Sequence, residues 1–316
     1  NSLLCPTQLD TPRCHSQPFG YGRLFFKPPH ILPSPLLDLL GVFVLLHVIT
    51  SINDIKQRIK TQKENHSTIG FVPTMGALHE GHLGLIRQAR KENDTVVLSI
   101  FVNPLQFGKN EDFKHYPRTF DNDCKLISQE GVDIVFKPDA SEMYPDEFCT
   151  SVILEHLEDK LCGKSRPGHF RGVAVVVLKL LNLIKPDIAY FGQKDFQQTV
   201  VIKRLVSDLH VDVTIKVLPT IRDQDGLALS SRNAYLSETE KKDAPCLYMA
   251  LTKARAMVNT GIKNTEEIVQ EMGKIVSQCK SGMIDYISVV DPETLESVPK
   301  VRSGDVALLA VRLGKT

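Results

Sequence analysis

Between Thr68 and Leu218, short apolar runs alternate with segments of helical spacing, and this alternation restricts the possible folds more than any other feature. The run TVVLSIFV from Thr95 to Val102 is continuous and β-branched, which is typical of a parallel strand buried on both faces. Strand, glycine-containing loop, helix and second strand follow one another within about 35 residues, the length of a βαβ unit. We therefore predict an α/β fold with a Rossmann-like, mostly parallel sheet and helices on both faces.

The individual elements are predicted from apolar spacing, capping residues and helix breakers. The strands of the sheet are expected at 68–73, 95–102, 132–136, 187–191 and 213–218. The helices are expected from Ser51 onward, at 83–93, from Thr119 to Gly131, at 172–184 and at 196–209. A smaller α+β region is expected after Pro219, with helices at 238–259 and 265–279 and strands at 284–290 and 306–311.

The first 46 residues differ in composition from the rest, since they contain seven of the 18 prolines and five charged side chains. We divide the chain into a Pro-rich leader at 1–46, expected to be disordered or artefactual, a Rossmann-like domain at 47–218 and a smaller C-terminal lid domain at 219–316. Residues 1–35 are poor in acids and weakly resemble an organellar transit peptide. The apolar run Leu36–Ile49 has 14 residues, whereas a membrane-spanning helix needs about 20.

The charge balance and the cysteines exclude several classes of protein. The chain has 38 Lys and Arg against 37 Asp and Glu, so there is no basic field for nucleic acid. The seven cysteines are odd in number and none forms a C-x-x-C pair, which argues against a disulfide scaffold and against a zinc ribbon. We expect a cytoplasmic protein with small-molecule substrates, no nucleic-acid partner, no membrane contact and no metal held by its own side chains.

The segment PTMGALHEGH at 73–82 lies between the first strand of the sheet and the next helix, where ligands bind in open α/β sheets. Gly76 and Gly81 allow close approach of the backbone to a ligand, and the helix start offers free N–H groups for phosphate. His79 and His82 can donate hydrogen bonds to phosphate oxygens. A metal site or a simple capping role is the alternative, but no H-E-x-x-H motif supports zinc.

Further polar side chains follow the other strands. Asn103 and Gln106 can hydrogen-bond a ligand with hydroxyl and carboxylate groups, or satisfy local backbone. Lys194 is placed to neutralise phosphates, while Asp195 is expected either to cap the next helix or to meet a nucleotide. Ser230–Arg232 carries two hydroxyls and a guanidinium, which suit phosphate, although a solvated turn is the alternative.

Five other charged or polar residues carry weaker indications. Arg166, His169 and Arg171 are interpreted as anion ligands or gate residues. Asp121 and Asp123 open a predicted helix, so they are more simply explained as partners of the helix dipole than as water-mediated ligands of Mg²⁺.

These motifs together resemble a known family. H-x-G-H after the first strand is similar to the signature of the nucleotidylyl-transferase superfamily, and PTMGALHEGH resembles the pantoate–β-alanine ligase (pantothenate synthetase) family. The resemblance covers about residues 48–314 and continues, in order, through SIFVNPLQF (99–107), YPRT (116–119), SRPGHFRGV (165–173), KPDIAYFGQKDFQQ (185–198) and DGLALSSRNAYLS (225–237). Leu105 stands where the family usually has Met, and Gln193 where many members have Glu.

The resemblance implies ATP-dependent condensation of pantoate with β-alanine through a pantoyl adenylate, with ATP as a substrate, Mg²⁺ as a cofactor and a homodimeric assembly. It implies catalytic roles for His79, His82 and Lys194, pantoate binding by Asn103, Gln106 and Gln198, and β-alanine binding by Gln106. The implied ATP-binding residues are Met75, Gly76, Ala77, Leu78, His79, Glu80, Gly81, His82, Gly192, Gln193, Lys194, Asp195, Ile221, Leu229, Ser230, Ser231 and Arg232. Since the chain stops shortly before the family's usual end and starts with Asn, we expect a fragment at both ends.

Two other functions stay open at this point. The first is another nucleotidylyl-transferase that acts on a phosphate substrate. Such an enzyme would need basic residues to bind that phosphate, at the positions where this chain has Gln106 and Gln198. A catalytically silent nucleotide-binding module is the second alternative. An aminoacyl-tRNA synthetase is disfavoured by the balanced charge and by the lack of an anticodon-binding region.

Overall fold

The computed structural model describes residues 3–8, 46–109 and 111–314. The strands are β1 (Leu3–Gln8), β2 (His47–Ile49), β3 (Ile69–Thr74), β4 (Thr95–Ile100), β5 (Ile134–Phe136), β6 (Ile188–Gly192), β7 (Thr214–Leu218), β8 (Gly282–Val290) and β9 (Val306–Leu313). The helices are α1 (Ile52–Glu64), α2 (Glu80–Glu92), α3 (Phe120–Ile127), α4 (Ala140–Met143), α5 (Cys162–Ser165), α6 (His169–Ile184), α7 (Phe196–Asp208), α8 (Glu238–Asp243), α9 (Cys246–Asn259) and α10 (Thr265–Val276).

The larger sheet is parallel throughout and has six strands in the order β2-β5-β4-β3-β6-β7. From β3 the chain moves outward through β4 and β5, and then returns to the other side of β3 to form β6 and β7. The strand order therefore reverses between β3 and β6, which is the position where open α/β sheets bind ligands. The predicted α/β fold is confirmed.

Both faces of this sheet are covered by helices. Successive residues of a strand point to opposite faces, so neighbouring residues pack against different helices. Phe71 and Val97 pack against α1 and α6 on one face. Their chain neighbours Val72 and Leu98 pack against α2 and α3 on the other. All four are completely buried, and each buried side chain of this size contributes about 1.5–3 kcal/mol. The continuous apolar run of β4 thus reflects burial on both faces.

Several boundaries differ from the prediction. The single helix expected at 238–259 is two helices, α8 and α9, because Pro245 interrupts the hydrogen-bond ladder between them. Both α2 and α6 begin three residues earlier than expected, so the end of the PTMGALHEGH segment forms the first turn of α2. The short edge strand β2 was not predicted, since three residues are too few to show a periodicity.

The C-terminal region contains the antiparallel pair β8 and β9, with β1 on the free side of β9. The strand β1 lies within the predicted leader, while residues 9–45 lie outside the described part of the chain, so the status of the leader stays a prediction. Phe170 and Val201 of the larger sheet's helices share one apolar cluster with Val290 and Leu308. The domain division at 218/219 stays a prediction. Within the described ranges, no helix is long and apolar enough to cross a membrane.

Candidate active site

A pocket enclosing about 230 Å³ lies at the carboxyl ends of β3 and β6, where the strand order reverses. The predicted site residues that line it are Met75, His79, Gly81, His82, Asn103, Gln106, Gly192, Lys194, Asp195, Gln198, Ile221, Leu229, Ser230, Ser231 and Arg232. The predicted site residues that are absent from its lining are Gly76, Ala77, Leu78, Glu80 and Gln193. Glu80 instead points to the surface and forms an ion pair with Arg87.

The two histidines form a capping box at the start of α2. Nδ1 of His79 accepts a hydrogen bond from the N–H of Gly81 at 3.1 Å, and Nδ1 of His82 accepts one from the N–H of His79 at 3.4 Å. In each neutral ring the proton must then sit on Nε2. Gly81 is required here, because a Cβ at this position would lie 2.8 Å from the His79 ring. Backbone capping therefore fixes both tautomers, and each Nε2–H can serve as a donor.

Both histidines are neutral at physiological pH. Burial, followed by the nearby charge of Lys194, lowers the pKa of His79 to about 4. Burial, followed by His79 and Lys194, lowers the pKa of His82 to about 3. Their ring centroids lie 4.1 Å apart, a distance at which two imidazolium charges would repel strongly. In the free pocket, the two histidines therefore offer hydrogen-bond donors but carry no positive charge.

Lys194 and Asp195 also line the pocket, with Nζ of Lys194 3.4 Å from Oδ1 of Asp195. Burial acts to raise the pKa of Asp195, but Lys194 and then Arg232 oppose it, so that the pKa lies below the usual value for a carboxyl group. Asp195 occupies the N-cap position of α7 but makes no side-chain capping bond. The capping interpretation of Asp195 is therefore wrong, and its carboxylate belongs to the pocket.

Asn103 and Gln106 lie on a short 3-10 turn at 104–106 and its cap, after β4. Asn103 is completely buried, and its amide donates to Oε1 of Gln106 at 3.1 Å and to the carbonyl of Gly172 at 3.0 Å. Its oxygen accepts from the hydroxyl of Tyr144 at 2.8 Å. Nε2 of Gln106 lies 3.2 Å from Sδ of Met75. Asn103 thus fixes the side chain of Gln106, which faces the pocket.

Arg166 and His169 also line the pocket, but their polar atoms bind neighbouring protein groups. Arg166 forms a two-pronged, largely buried ion pair with Glu111, at 2.8 and 2.6 Å. It also donates to Nε2 of His169, which leaves Nδ1 of His169 to donate to the carbonyl of Gln106 at 2.8 Å. Arg171, the third residue of the predicted group, pairs with Glu158 and does not line the pocket.

The segment Ser230–Arg232 closes the pocket from the C-terminal region and contacts two residues to which the sequence assigned no role. Arg232 pairs with Asp112 through two hydrogen bonds of 2.9 and 3.0 Å, and its guanidinium lies 5.3 Å from the ring centre of Tyr116. The Tyr116 hydroxyl lies 3.1 Å from that of Ser231. The YPRT motif contains Tyr116, but only the folded chain places its ring beside the guanidinium of Arg232, which lies 116 residues further along the chain.

The comparisons with known proteins agree with this geometry. The family described as Pantoate-beta-alanine ligase matches residues 47–316. A pantothenate synthetase from Caldicellulosiruptor saccharolyticus is 50% identical over 269 residues, which cover 85% of this chain and 96% of that protein. One from Thermotoga petrophila is also 50% identical over 269 residues, with the same two shares covered.

Solved structures give the same result. The crystal structure of pantothenate synthetase from Thermus thermophilus has a TM-score of 0.82 and 41% identity, and covers 86% of this chain and 96% of that one. The pantoate-beta-alanine ligase of Francisella tularensis, complexed with beta-gamma ATP and beta-alanine, has a TM-score of 0.69 and 34% identity, and covers 86% and 95%. The chain belongs to the pantoate–β-alanine ligase family.

Proposed function

We propose that the family's reaction, the ATP-dependent condensation of pantoate with β-alanine, takes place in the pocket around His79 and His82. One observation carries this assignment: two neutral histidines, Lys194 and Arg232 surround a single cavity that also contains the amides of glutamines. The cationic and donor groups suit a polyphosphate, while uncharged amides suit a small hydroxy acid.

In the first half-reaction, the carboxylate of pantoate attacks the α-phosphorus of ATP, giving pantoyl adenylate and pyrophosphate. The substrate supplies the nucleophile, so the enzyme contributes positioning and stabilisation of the developing charge. We assign the stabilisation to the Nε2–H groups of His79 and His82, to Lys194 and to Arg232. Proton uptake by a histidine is favoured only as phosphate charge builds beside it, because both rings are neutral beforehand.

In the second half-reaction, the amine of β-alanine attacks the acyl carbon of the adenylate and releases AMP. AMP is a far better leaving group than the oxide that a free carboxylate would have to expel. The enzyme therefore needs no strong acid to protonate the leaving group. We assign pantoate binding to Gln106 and Gln198, and β-alanine binding to Gln106, with Asn103 orienting the Gln106 amide. The pocket must exclude water at this stage, because water would hydrolyse the adenylate.

Mg²⁺ is proposed to enter with ATP. Within the described residues no group of three or more His, Cys, Asp or Glu side chains could hold a metal ion, and Asp195 is the single carboxylate of the pocket lining. This donor set fits Mg²⁺ that is held chiefly by substrate phosphates, where one carboxylate is often sufficient. When bound, Mg²⁺ neutralises phosphate charge; Asp195 is the side chain that would meet it.

The test is an assay with ATP, pantoate and β-alanine, scored for AMP and pantothenate, with each substrate omitted in turn. We expect pantothenate and stoichiometric AMP only when all three are present. AMP or pyrophosphate release with a phosphate-bearing acceptor in place of pantoate would support another nucleotidylyl-transferase. Binding of ATP without turnover would support a silent module.

A matched pair of lysine variants tests whether the pocket is the site of the reaction. Lys194→Met should lose most adenylation, measured as pantoate-dependent exchange of pyrophosphate into ATP. Lys216→Met should retain it, because Lys216 lies on β7 outside the pocket and pairs with Glu92. Equal activity of the two variants would contradict the assignment. The homodimer implied by the resemblance stays a prediction, tested by sedimentation equilibrium.

A further inference from the structure

The loop between β3 and α2 turns through two consecutive residues in the left-handed region, Gly76 with φ 81° and Ala77 with φ 50°. A residue with a Cβ adopts this conformation only where its surroundings hold it there. The loop comprises residues 75–78: it begins at Met75 and leads directly into His79, the N-cap of α2, and both of these residues line the pocket. Its conformation therefore decides whether these two side chains face ATP.

The loop's backbone donors are satisfied from inside the protein. Oδ2 of Asp123 accepts from the N–H of Ala77 at 3.0 Å, and Oδ1 accepts from the N–H of Leu78 at 2.9 Å. The hydroxyl of Thr119 donates to Oδ1 at 3.1 Å. The N–H of Gly76 bonds to the hydroxyl oxygen of Thr74 at 3.2 Å. The backbone amides of Gly76, Ala77 and Leu78, three residues that the resemblance assigned to ATP binding, are thus directed at a carboxylate and a hydroxyl.

We propose that Asp123 is a positioning residue, which holds the loop 75–78 in the conformation that receives ATP. The inference rests on the proposed assignment of Met75 and His79 to the ATP site. Asp123 is completely buried, and both of its oxygens are engaged by donors of the protein. The position therefore leaves little room for a cation, and a helix-dipole role would be shared by Asp121, which is exposed on the same first turn of α3.

The expected kinetic signature is a change in KM for ATP without a matching change in kcat. A loop without this anchor spends less time in the conformation that binds ATP. The apparent affinity for ATP falls in proportion to the time spent in that conformation, whereas saturating ATP returns the whole population to it and kcat is kept. Asp123→Asn keeps the volume but replaces a charged acceptor. We expect KM for ATP to rise by about 10- to 100-fold, the effect of losing a charged hydrogen bond, with kcat within about threefold of wild type.

Two further variants separate this role from a general structural one. Asp121→Asn removes the same charge from the same helix end and should leave both constants unchanged. Thr119→Val removes one hydroxyl donor to Asp123 and should raise KM for ATP in the same direction by a smaller factor. Thr119→Val also decides the question if Asp123→Asn does not fold, as judged by circular dichroism.

The outcomes are distinct. If Asp121→Asn and Asp123→Asn raise KM equally, the helix dipole explains both, and the proposal is overturned. An unchanged KM for ATP in folded Asp123→Asn also overturns it, and so does a shifted Mg²⁺ requirement at saturating ATP, which would indicate a metal ligand. If the unmodified protein forms no AMP and pantothenate at all, the proposed function fails instead, independently of Asp123.

Discussion

The capping box at the start of α2 gives His82 two separable duties, and substitutions can isolate each of them. Nδ1 of His82 accepts from the backbone N–H of His79, while Nε2–H is the donor assigned to the phosphate. His82→Ala removes both functions. His82→Asn keeps an oxygen near the position of Nδ1, and His82→Gln keeps a nitrogen donor near the position of Nε2.

The structure sets different magnitudes for the two duties. The capping bond is long, at 3.4 Å, so its loss should cost about 0.5 kcal/mol of unfolding free energy, the lower end for helix caps. The loss of one donor to a developing oxyanion lowers kcat by about 10²–10³-fold. We therefore expect His82→Ala and His82→Asn to lose pyrophosphate release, and His82→Gln to keep more of it. For stability the expected order is different: His82→Asn, which keeps an acceptor near the position of Nδ1, should be closest to wild type.

The assays are pantoate-dependent pyrophosphate exchange for the reaction, calorimetric titration for ATP binding, and urea denaturation for stability. ATP binding should stay within about threefold in all three variants, because only the transition state draws on the full hydrogen bond. His47→Ala, an exposed histidine on β2, serves as the control. Near-normal exchange by His82→Asn would refute the donor role of Nε2, and equal losses in Gln and Ala variants would show that the ring itself is required.

Four other outcomes are expected. The unfolding free energy should fall by about 1 kcal/mol for each of His79 and His82 when the pH is lowered from 7 to 5.5. The reason is that each histidine binds a proton near pH 6.5 in the unfolded state, but only at about pH 4 or lower in the folded state. Urea denaturation curves that do not change with pH would contradict the lowered pKa values. Gly172→Ala should lower the unfolding free energy by about 1–3 kcal/mol or more, since the new Cβ would lie 2.2 Å from a backbone oxygen. Gly273 on α10 has open space around it, so Gly273→Ala should raise the unfolding free energy by up to about 1 kcal/mol in the same urea titration. Asp112→Asn should tighten ATP binding about fivefold in calorimetry, because Arg232 no longer has to leave a carboxylate; weaker binding would show that Asp112 orients the guanidinium. Removal of residues 1–46 should leave AMP formation unchanged, and a folded product without activity would contradict this.

The parallel sheet and its ligand-binding edge could be predicted from the sequence because each depends on local pattern. Continuous β-branched runs indicate strands covered on both faces, and the loops after them must meet at one edge. The donors of His79, Lys194 and Arg232 could also be predicted, because they lie in short motifs in the loops that follow the strands.

The supports of these donors could not be predicted, since each depends on a long-range contact. Asp123 looked like a helix-dipole partner until the fold placed the 75–78 loop against it. Asp195 occupies a cap position in the sequence, but its side chain turns to the half-buried ammonium of Lys194, because a charged donor is a stronger partner than a backbone amide.

The order in which the strands are made differs from the order in which they lie in the sheet, and this affects how the protein is synthesised. The strands β3 and β6 are direct neighbours, yet the ribosome must complete everything between Ile69 and Ile188 before they can pair. At about 5–20 residues per second this takes on the order of ten seconds. During that time one edge of β3 and one face of α2 have no partner, so apolar surface stays exposed on the nascent chain. Neither ATP nor pantoate can shorten this interval, because Arg232 emerges later still.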